Sequence, residues 1–131
     1  MLWIEEYRPD ASQRQARPSS VTSATRAVFL CKAGVDQSAV DLFVFHQANR
    51  FMLDHLRRKL RIPVERFVIA MEEVGNTVAS SIPIALQAAQ QKGDLFPGAL
   101  VMLVGFGVGY SWGATLVRWC ATAEASAGTL R

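Results

Sequence analysis

The stretch LFVFHQANRFMLDHL, Leu42–Leu56, places an apolar run, a histidine and a helical pattern next to one another. Its first four residues, Leu42–Phe45, are all apolar and form a run short enough for a buried β-strand. His46 follows at the C-terminal end of that strand, which is the edge where ligands bind in open α/β sheets. Residues 48–61 then predict an amphipathic helix, and Pro63 stops it. Its buried stripe consists of Met52, Leu53, Leu56 and Leu60.

Downstream of this unit the pattern continues to alternate between strand and helix. Residues 66–71 are predicted to be extended, residues 75–77 to form a turn, and residues 78–92 to form a second helix. That helix is so apolar at its start that we expect it to be buried on several sides. Residues 99–104 and 110–119 predict two strands, and the glycines between them indicate an antiparallel pair.

The rest of the chain sets the limits of the domain. Residues 21–34 predict a helix ended by its terminal glycine, and residues 36–41 a turn or short helical bend. Residues 1–20 have little periodicity and are interpreted as a loose leader, and residues 121–131, rich in Ala, Ser and Thr, as a disordered tail. The 131 residues are therefore expected to hold one domain, residues 21–120.

Composition excludes several classes of protein. Half of the residues are hydrophobic, which argues against a disordered chain, and the formal net charge of +3 permits an acidic partner without requiring one. Cys31 and Cys120 are far apart and form no CxxC pair, so we predict no metal site and no disulfide framework, and the cytoplasm fits best. Residues 99–117 carry no charge, but their glycines favour two strands over a membrane span.

His46 and Asn76 are the candidate catalytic residues. A neutral imidazole and a carboxamide can each donate a hydrogen bond to the same anionic oxygen, which is the equipment of an enolate-stabilising site. The alternative for His46 is a structural histidine with its hydrogen bonds satisfied. The alternative for Asn76 is a turn or helix cap. The catalytic interpretation expects Thr77 or the turn itself to cap the helix, so that the Asn76 amide points at a ligand.

Two further features also have a plain structural alternative. Residues 105–109 form a glycine turn that lacks the following helix of a dinucleotide site, so we interpret it as a hairpin whose backbone amide could face a thioester oxygen. The basic face of the 48–61 helix could bind an acidic partner or simply be solvated. Nucleic acid is not expected, because aromatic residues are not interleaved with the basic ones. Ser80 and Ser81 lack the setting of a hydrolase nucleophile.

Three motifs together resemble a known family. HQAN at 46–49, GNT at 75–77 and GFGVGYSWGATLVRW at 105–119 resemble, in order and spacing, the C-terminal end of β-ketoacyl-acyl-carrier-protein synthase III enzymes, which belong to the thiolase-like superfamily. The similarity is strong over residues 41–119. It implies an α/β fold class: a partial thiolase-like layered fold, with a mixed sheet packed on helices, that corresponds to the C-terminal half-domain. It also implies no cofactor, with acyl-CoA and malonyl-carrier protein as substrates.

The activity implied by the resemblance is acyl transfer in fatty acid or related acyl-chain synthesis. In the family a cysteine is acylated, the malonyl thioester loses carbon dioxide, and the resulting carbanion attacks the acyl group. His46 and Asn76 match the family's residues that hold the malonyl carbonyl as it becomes an enolate.

The resemblance also implies substrate-binding residues. Asn49 and Phe106 match positions that line the pantetheine and acyl ends of the pocket. Gly107 and Val108 belong to the turn whose backbone amide meets the acyl-cysteine oxyanion, and Val108 stands where the family has a glycine.

Two departures from the family pattern shape the expected partners. The family's catalytic cysteine lies in an N-terminal half that does not match this chain, so we expect an N-terminal half or a second subunit, and an oligomer such as a dimer. Phe51 stands where many members have an arginine that docks acyl carrier protein. We therefore assign that docking to Arg50, Arg57 and Arg58. The alternative to an enzyme is a non-catalytic subunit of the same fold that binds carrier protein or a partner.

Overall fold

A computed structural model describes Leu30, residues 33–107 and residues 111–120, with Ser111 and Trp112 described by their backbone alone. The predicted leader (1–20), most of the predicted first helix (21–34) and the predicted tail (121–131) lie outside the described residues.

The centre of the fold is a three-stranded mixed sheet. Strand β1 is Leu42–Phe45, β2 is Leu100–Gly107 and β3 is Ser111–Arg118, in the spatial order β1-β2-β3. The first pair is parallel, with Val44 opposite Leu103, and the second pair is antiparallel. The predicted buried strand and the predicted antiparallel pair are both confirmed, and residues 100–107 and 111–117 of the uncharged stretch lie in two strands. Strand β2 extends three residues beyond its predicted end at 104, so Gly105–Gly107 of the predicted glycine turn belong to the strand.

Two helices flank the sheet. Helix α1 is Arg50–Lys59 and helix α2 is Ser81–Lys92, and 3-10 turns occupy Gln37–Ala39, Val64–Arg66 and Val78–Ser80. Helix α1 begins two residues later than the predicted 48–61 because Asn49 is its N-cap, and it ends two residues earlier, with Leu60 as its C-cap and Arg61 in a left-handed conformation (φ 52°). The expected bend within 36–41 is the first 3-10 turn.

Alternation along β1 divides the core into two layers. Phe43 and Phe45 face a cluster that includes Leu53 and Leu56 of α1, whereas Leu42 and Val44 face a cluster that includes Ala85 and Ala89 of α2. Leu60, which follows the end of α1, belongs to the same cluster as Leu53 and Leu56. One helix therefore covers each face of the sheet, which confirms the predicted layered α/β arrangement.

The beginning of α2 differs from its prediction. Val78, expected to be buried, is 72 % exposed, and the buried residues of α2 are Ser81, Ala85 and Ala89. The first three residues of the predicted helix form a 3-10 turn, since Val78 adopts a left-handed backbone conformation (φ 53°) that an α-helix cannot contain. The expectation of a helix start buried on several sides is therefore wrong for the described residues.

Two of the connecting segments contain a glycine with positive φ at a helix end. Gly34 has φ 63° and the Val35 N–H donates to the Leu30 carbonyl (2.9 Å), as at a helix C-terminus. Gly93 ends α2 at φ 81°. The segment 66–71, predicted to be extended, starts within a 3-10 turn and makes an isolated parallel bridge between Phe67 and Phe43.

None of the helices in the described part of the chain combines the length and apolarity that crossing a membrane requires.

Candidate active site

His46 lies one residue beyond β1, where its backbone prolongs the ladder with β2. Its N–H donates to the Val104 carbonyl at 2.8 Å. Its ring is half-buried, with Nδ1 2.6 Å from the hydroxyl of Ser81. The Phe106 ring meets the imidazole edge-on, with centroids 5.2 Å apart and planes at 80°. The strand end therefore fixes the base of the side chain, and two contacts fix its ring.

Ser81 is the partner that sequence reasoning missed. It is the first residue of α2, it is 2 % exposed, and its Oγ also accepts a hydrogen bond from the Gln47 N–H at 3.3 Å. From the sequence, this serine is evaluated only as a nucleophile. A polar side chain in the apolar stretch that follows Asn76 is the signal that could have indicated a buried hydrogen-bonding role.

Gln47 is the second missed residue, and it binds together the segments around the histidine. Its side chain is buried; Nε2 donates to the carbonyls of Phe45 (2.7 Å) and Val68 (3.3 Å), and Oε1 accepts from the Ala70 N–H (3.0 Å). Beyond the single bridge at Phe67, these side-chain bonds take the place of ladder hydrogen bonds in segment 66–71. They fix the exit of β1, and with it the position of His46.

Asn76 precedes the first residue of α2 by five positions and is exposed. Its Oδ1 accepts a hydrogen bond from the Val78 N–H at 2.9 Å. Thr77, the N-cap of the following 3-10 turn, makes no side-chain capping bond, so the expectation that Thr77 caps and frees Asn76 is wrong. The alternative, a turn role for Asn76, is confirmed for its Oδ1. The local bond uses only the carbonyl side of the Asn76 carboxamide. Its Nδ2 atom makes no hydrogen bond to a described residue and keeps two N–H groups for a ligand.

The predicted substrate-binding residues lie in different settings. Phe106 contacts His46, and Gly107 is exposed at the end of β2. Val108 lies outside the described residues. The Asn49 side chain caps α1 by accepting from the Met52 N–H at 2.8 Å, so its carbonyl oxygen has a structural partner. Its assignment to the pantetheine end of the pocket stays a prediction.

The three arginines assigned to carrier docking are not equivalent. Arg50 pairs with Asp54 (3.5 Å) and with Glu72, and the hydrogen bond to Glu72 raises the pKa of the Arg50 guanidinium. Arg57 is half-buried, and its guanidinium donates to the Ile62 carbonyl at 3.3 Å. Arg58 is exposed. Its Nε donates to the Asp54 carbonyl at 3.2 Å, and of the two exposed arginines among these three it is the one that pairs with no carboxylate of the described residues.

Two grooves border the segment 64–74 and α2. Their volumes are about 310 and 370 Å³, and both are lined by Ile69, Glu72, Ala88 and Lys92. Neither is lined by His46 or Asn76, so a shared pocket for the two donors stays a prediction. Among the described residues, no three histidine, cysteine or acidic side chains group together in a way that would hold a metal ion.

The chain has part of the layered fold of the thiolase-like class. A 2.1 Å crystal structure of a 3-oxoacyl-(acyl-carrier-protein) synthase III superimposes with a TM-score of 0.77 at 43 % sequence identity, covering 84 % of this chain and 33 % of that one. The corresponding synthase from Aquifex aeolicus VF5 gives a TM-score of 0.74 at 30 % identity over 88 % of this chain.

Within that class, the chain belongs to the family described as 3-oxoacyl-[acyl-carrier-protein (ACP)] synthase III C terminal, whose model matches residues 30–119. The chloroplastic β-ketoacyl-[acyl-carrier-protein] synthase III of Arabidopsis thaliana is 40 % identical over 102 residues, which are 78 % of this chain and 24 % of that protein. Synthase III 1 of Bacillus cereus is 46 % identical over 90 residues, which are 69 % of this chain and 29 % of that protein. The chain thus matches about a quarter to three tenths of the length of these relatives, and the resemblance noted in the sequence is confirmed.

Proposed function

We propose that this chain is the C-terminal region of a condensing enzyme that joins an acyl group to malonyl-carrier protein with decarboxylation. His46 and Asn76 are the two donors that hold the malonyl thioester oxygen. The observation that carries the proposal is the setting of His46. Its Nδ1 is bonded to the buried Ser81 hydroxyl, which leaves Nε2 as the ring nitrogen that can meet a ligand.

The proposed chemistry requires little of this region beyond hydrogen bonding. The malonyl carboxylate leaves as carbon dioxide, and the electron pair of the broken C–C bond forms an enolate with its charge on the thioester oxygen. Donors aimed at that oxygen stabilise the transition state. The enolate carbon then bonds to the acyl carbon on a cysteine, and the acyl–sulfur bond breaks. In the family that cysteine lies in the N-terminal half, which the match over 30–119 does not include.

The contribution of Asn76 follows from how its carboxamide is used. Because Oδ1 accepts the Val78 N–H, the amide plane is anchored by its carbonyl side and Nδ2 is the outward donor. In the proposed site this Nδ2–H and one imidazole N–H converge on a single oxygen. Removing either donor alone should therefore lower the rate of condensation.

The test places residues 30–119 in the matching C-terminal region of the Bacillus cereus synthase and measures condensation. We expect an active chimera, in which His46→Ala and Asn76→Ala each lower kcat by about 10²–10³. His55→Ala is the matched control, because His55 is exposed on α1 and should have little effect. The assigned roles are wrong if the chimera keeps its activity when either donor is removed.

A second candidate is a non-catalytic subunit that binds carrier protein, and the exposure of Arg58 favours it. Under this proposal the whole chain binds acyl carrier protein, and Arg58→Glu weakens binding more than the control Lys92→Glu, an exposed change on α2. Mixing the chain with the cysteine-bearing N-terminal region of the Bacillus cereus synthase separates the two candidates. Turnover supports the enzyme; saturable binding without turnover in either the mixture or the chimera supports the binding subunit.

A further inference from the structure

We infer that Ser81 is a positioning residue that fixes the tautomer of His46. Its hydroxyl donates to Nδ1, which makes the imidazole the Nε2–H tautomer and turns Nε2–H into the outward donor. The identity of the oxygen that meets this donor rests on the proposed function. The tautomer itself does not.

The hydrogens around the buried Ser81 Oγ determine the direction of its hydrogen bond to His46. A serine hydroxyl has one hydrogen and two acceptor lone pairs. The described residues within hydrogen-bond distance of the Ser81 Oγ are Nδ1 of His46 at 2.6 Å and the backbone nitrogen of Gln47 at 3.3 Å. A backbone N–H can only donate, so Oγ must accept from Gln47. The hydroxyl hydrogen then needs an acceptor, and the Nδ1 lone pair supplies one.

In the opposite tautomer, one of these groups would lack a hydrogen-bond partner. With a hydrogen on Nδ1, the Ser81 oxygen would accept two hydrogen bonds and its own hydrogen would have no acceptor among these partners. Ser81 is 2 % exposed, so water cannot readily compensate. An unmade hydrogen bond on a buried polar group is costly. That tautomer would also direct the Nε2 lone pair, an acceptor, towards a developing negative charge.

The Gln47 backbone N–H, which the Ser81 oxygen accepts from, belongs to a residue held firmly in place. The Gln47 side chain bonds to the carbonyls of Phe45 and Val68 and to the Ala70 N–H, which holds the residue in place from three directions. Its backbone N–H therefore keeps its direction towards Ser81. Gln47 thus orients Ser81, and Ser81 orients the imidazole of His46. Neither Gln47 nor Ser81 needs to touch substrate in order to position that ring.

The chain provides its own reference for the experiment. It has two histidines, and the other, His55, is exposed on α1. In the whole 131-residue chain labelled with ¹⁵N-histidine, two-bond ¹H–¹⁵N correlation at alkaline pH reports which ring nitrogen carries hydrogen. His55→Gln assigns the two sets of signals.

We expect His46 to give the pattern of a single Nε2–H tautomer and His55 to give averaged signals. Ser81→Ala should convert the His46 pattern into an averaged one, and Ser81→Thr, which keeps the hydroxyl, should restore it. A His46 ring protonated on Nδ1 in the unchanged chain overturns the inference, whatever the variants do. So does an unchanged His46 pattern in Ser81→Ala.

Kinetics in the synthase chimera give an independent readout. Ser81→Ala should lower kcat by about 2- to 10-fold, the range of one neutral hydrogen bond, with KM for acyl-CoA unchanged. This loss is smaller than that of His46→Ala, because the imidazole remains in place. If His46→Ala has no effect, the proposed function fails while the tautomer result still stands. If Ser81→Ala and Ser81→Thr lose the same activity, the hydroxyl is not what positions the ring.

Discussion

The exit of β1 and the turn before α2 carry the two candidate donors, and they are built in opposite ways. At the exit of β1, Gln47 is buried and bonds to residues as far as 23 positions away, while His46 bonds to Ser81, 35 positions away. At the turn, Asn76 is exposed and bonds only two residues along the chain. The histidine is therefore positioned by the tertiary fold, and the asparagine by local turn chemistry.

The exit of β1 should be more stable against local opening than the turn. Long-range bonds between buried groups are lost only when the domain opens, whereas an exposed local bond can break with little else changing. Strain is also found at the turn: Val78 is β-branched and has φ 53°. We infer that changes at the exit of β1 act on the whole domain, and that changes at the turn act mainly on the donor it carries.

Gln47→Ala should have the largest effect on stability. It removes the partners of two carbonyls and of the Ala70 N–H in a buried region and leaves a cavity, so we expect the free energy of unfolding to fall by about 2–4 kcal/mol. Urea denaturation followed by circular dichroism measures it. Gln87→Ala, an exposed change on α2, is the control and should lie within about 0.5 kcal/mol of the parent. A similar small loss in both variants would show that the buried amide contributes no net stability.

The same contrast explains what could be predicted from the sequence. The strand β1, the helix α1 and the antiparallel pair follow from local periodicity, and their positions were predicted closely. The hydrogen bonds of Gln47 and Ser81 could not be, because their partners are brought together only by the parallel pairing of β1 with β2 and the packing of α2. The family was recognised from motif order, which needs no knowledge of these contacts.

At the turn before α2, prediction from the sequence is limited by local backbone conformation rather than by long-range contacts. Sequence reasoning left open whether Asn76 is a cap or a ligand donor, and the structure assigns its Oδ1 to the turn while leaving Nδ2 available. The apolar character of Val78 also predicts burial, whereas the residue is 72 % exposed. Periodicity predicts which residues share a helix face, but an exposed valine with a left-handed backbone has no periodic signal. Both outcomes depend on backbone conformation, which a pattern of residue types does not encode.

The same kind of capping bond occurs at the start of α1 and at the turn before α2. Asn49 accepts from the Met52 N–H at the start of the ten-residue helix α1, and Asn76 accepts from the Val78 N–H before a three-residue turn. Asn49→Ala should cost about 1 kcal/mol of unfolding free energy, because it uncaps a helix. Asn76→Ala should cost about 0.5 kcal/mol or less, the low end for one net hydrogen bond.

Serine gives the matched control at both positions, since its hydroxyl can accept the same bond. Asn49→Ser should recover most of the loss in stability. In the chimera, Asn76→Ser should recover the small stability loss but not the activity, because serine has no carboxamide donor at that distance. Equal stability losses for the two alanine variants would mean that the turn is as tightly coupled to the fold as α1 is.

The last prediction has the opposite sign and comes from strain at the turn. Val78 and Val64 both begin a three-residue 3-10 turn and are 72 % and 67 % exposed, but only Val78 has positive φ. A left-handed conformation costs an L-residue about 1–2 kcal/mol, and glycine adds an entropic cost of about 0.5–1 kcal/mol. Val78→Gly should therefore stabilise the chain by about 0.5–1 kcal/mol, and Val64→Gly should destabilise it by a similar amount. Urea midpoints of the two variants measure the difference. If both glycines destabilise the protein, the backbone at Val78 is not strained, and the turn that carries Asn76 is as relaxed as the rest of the domain.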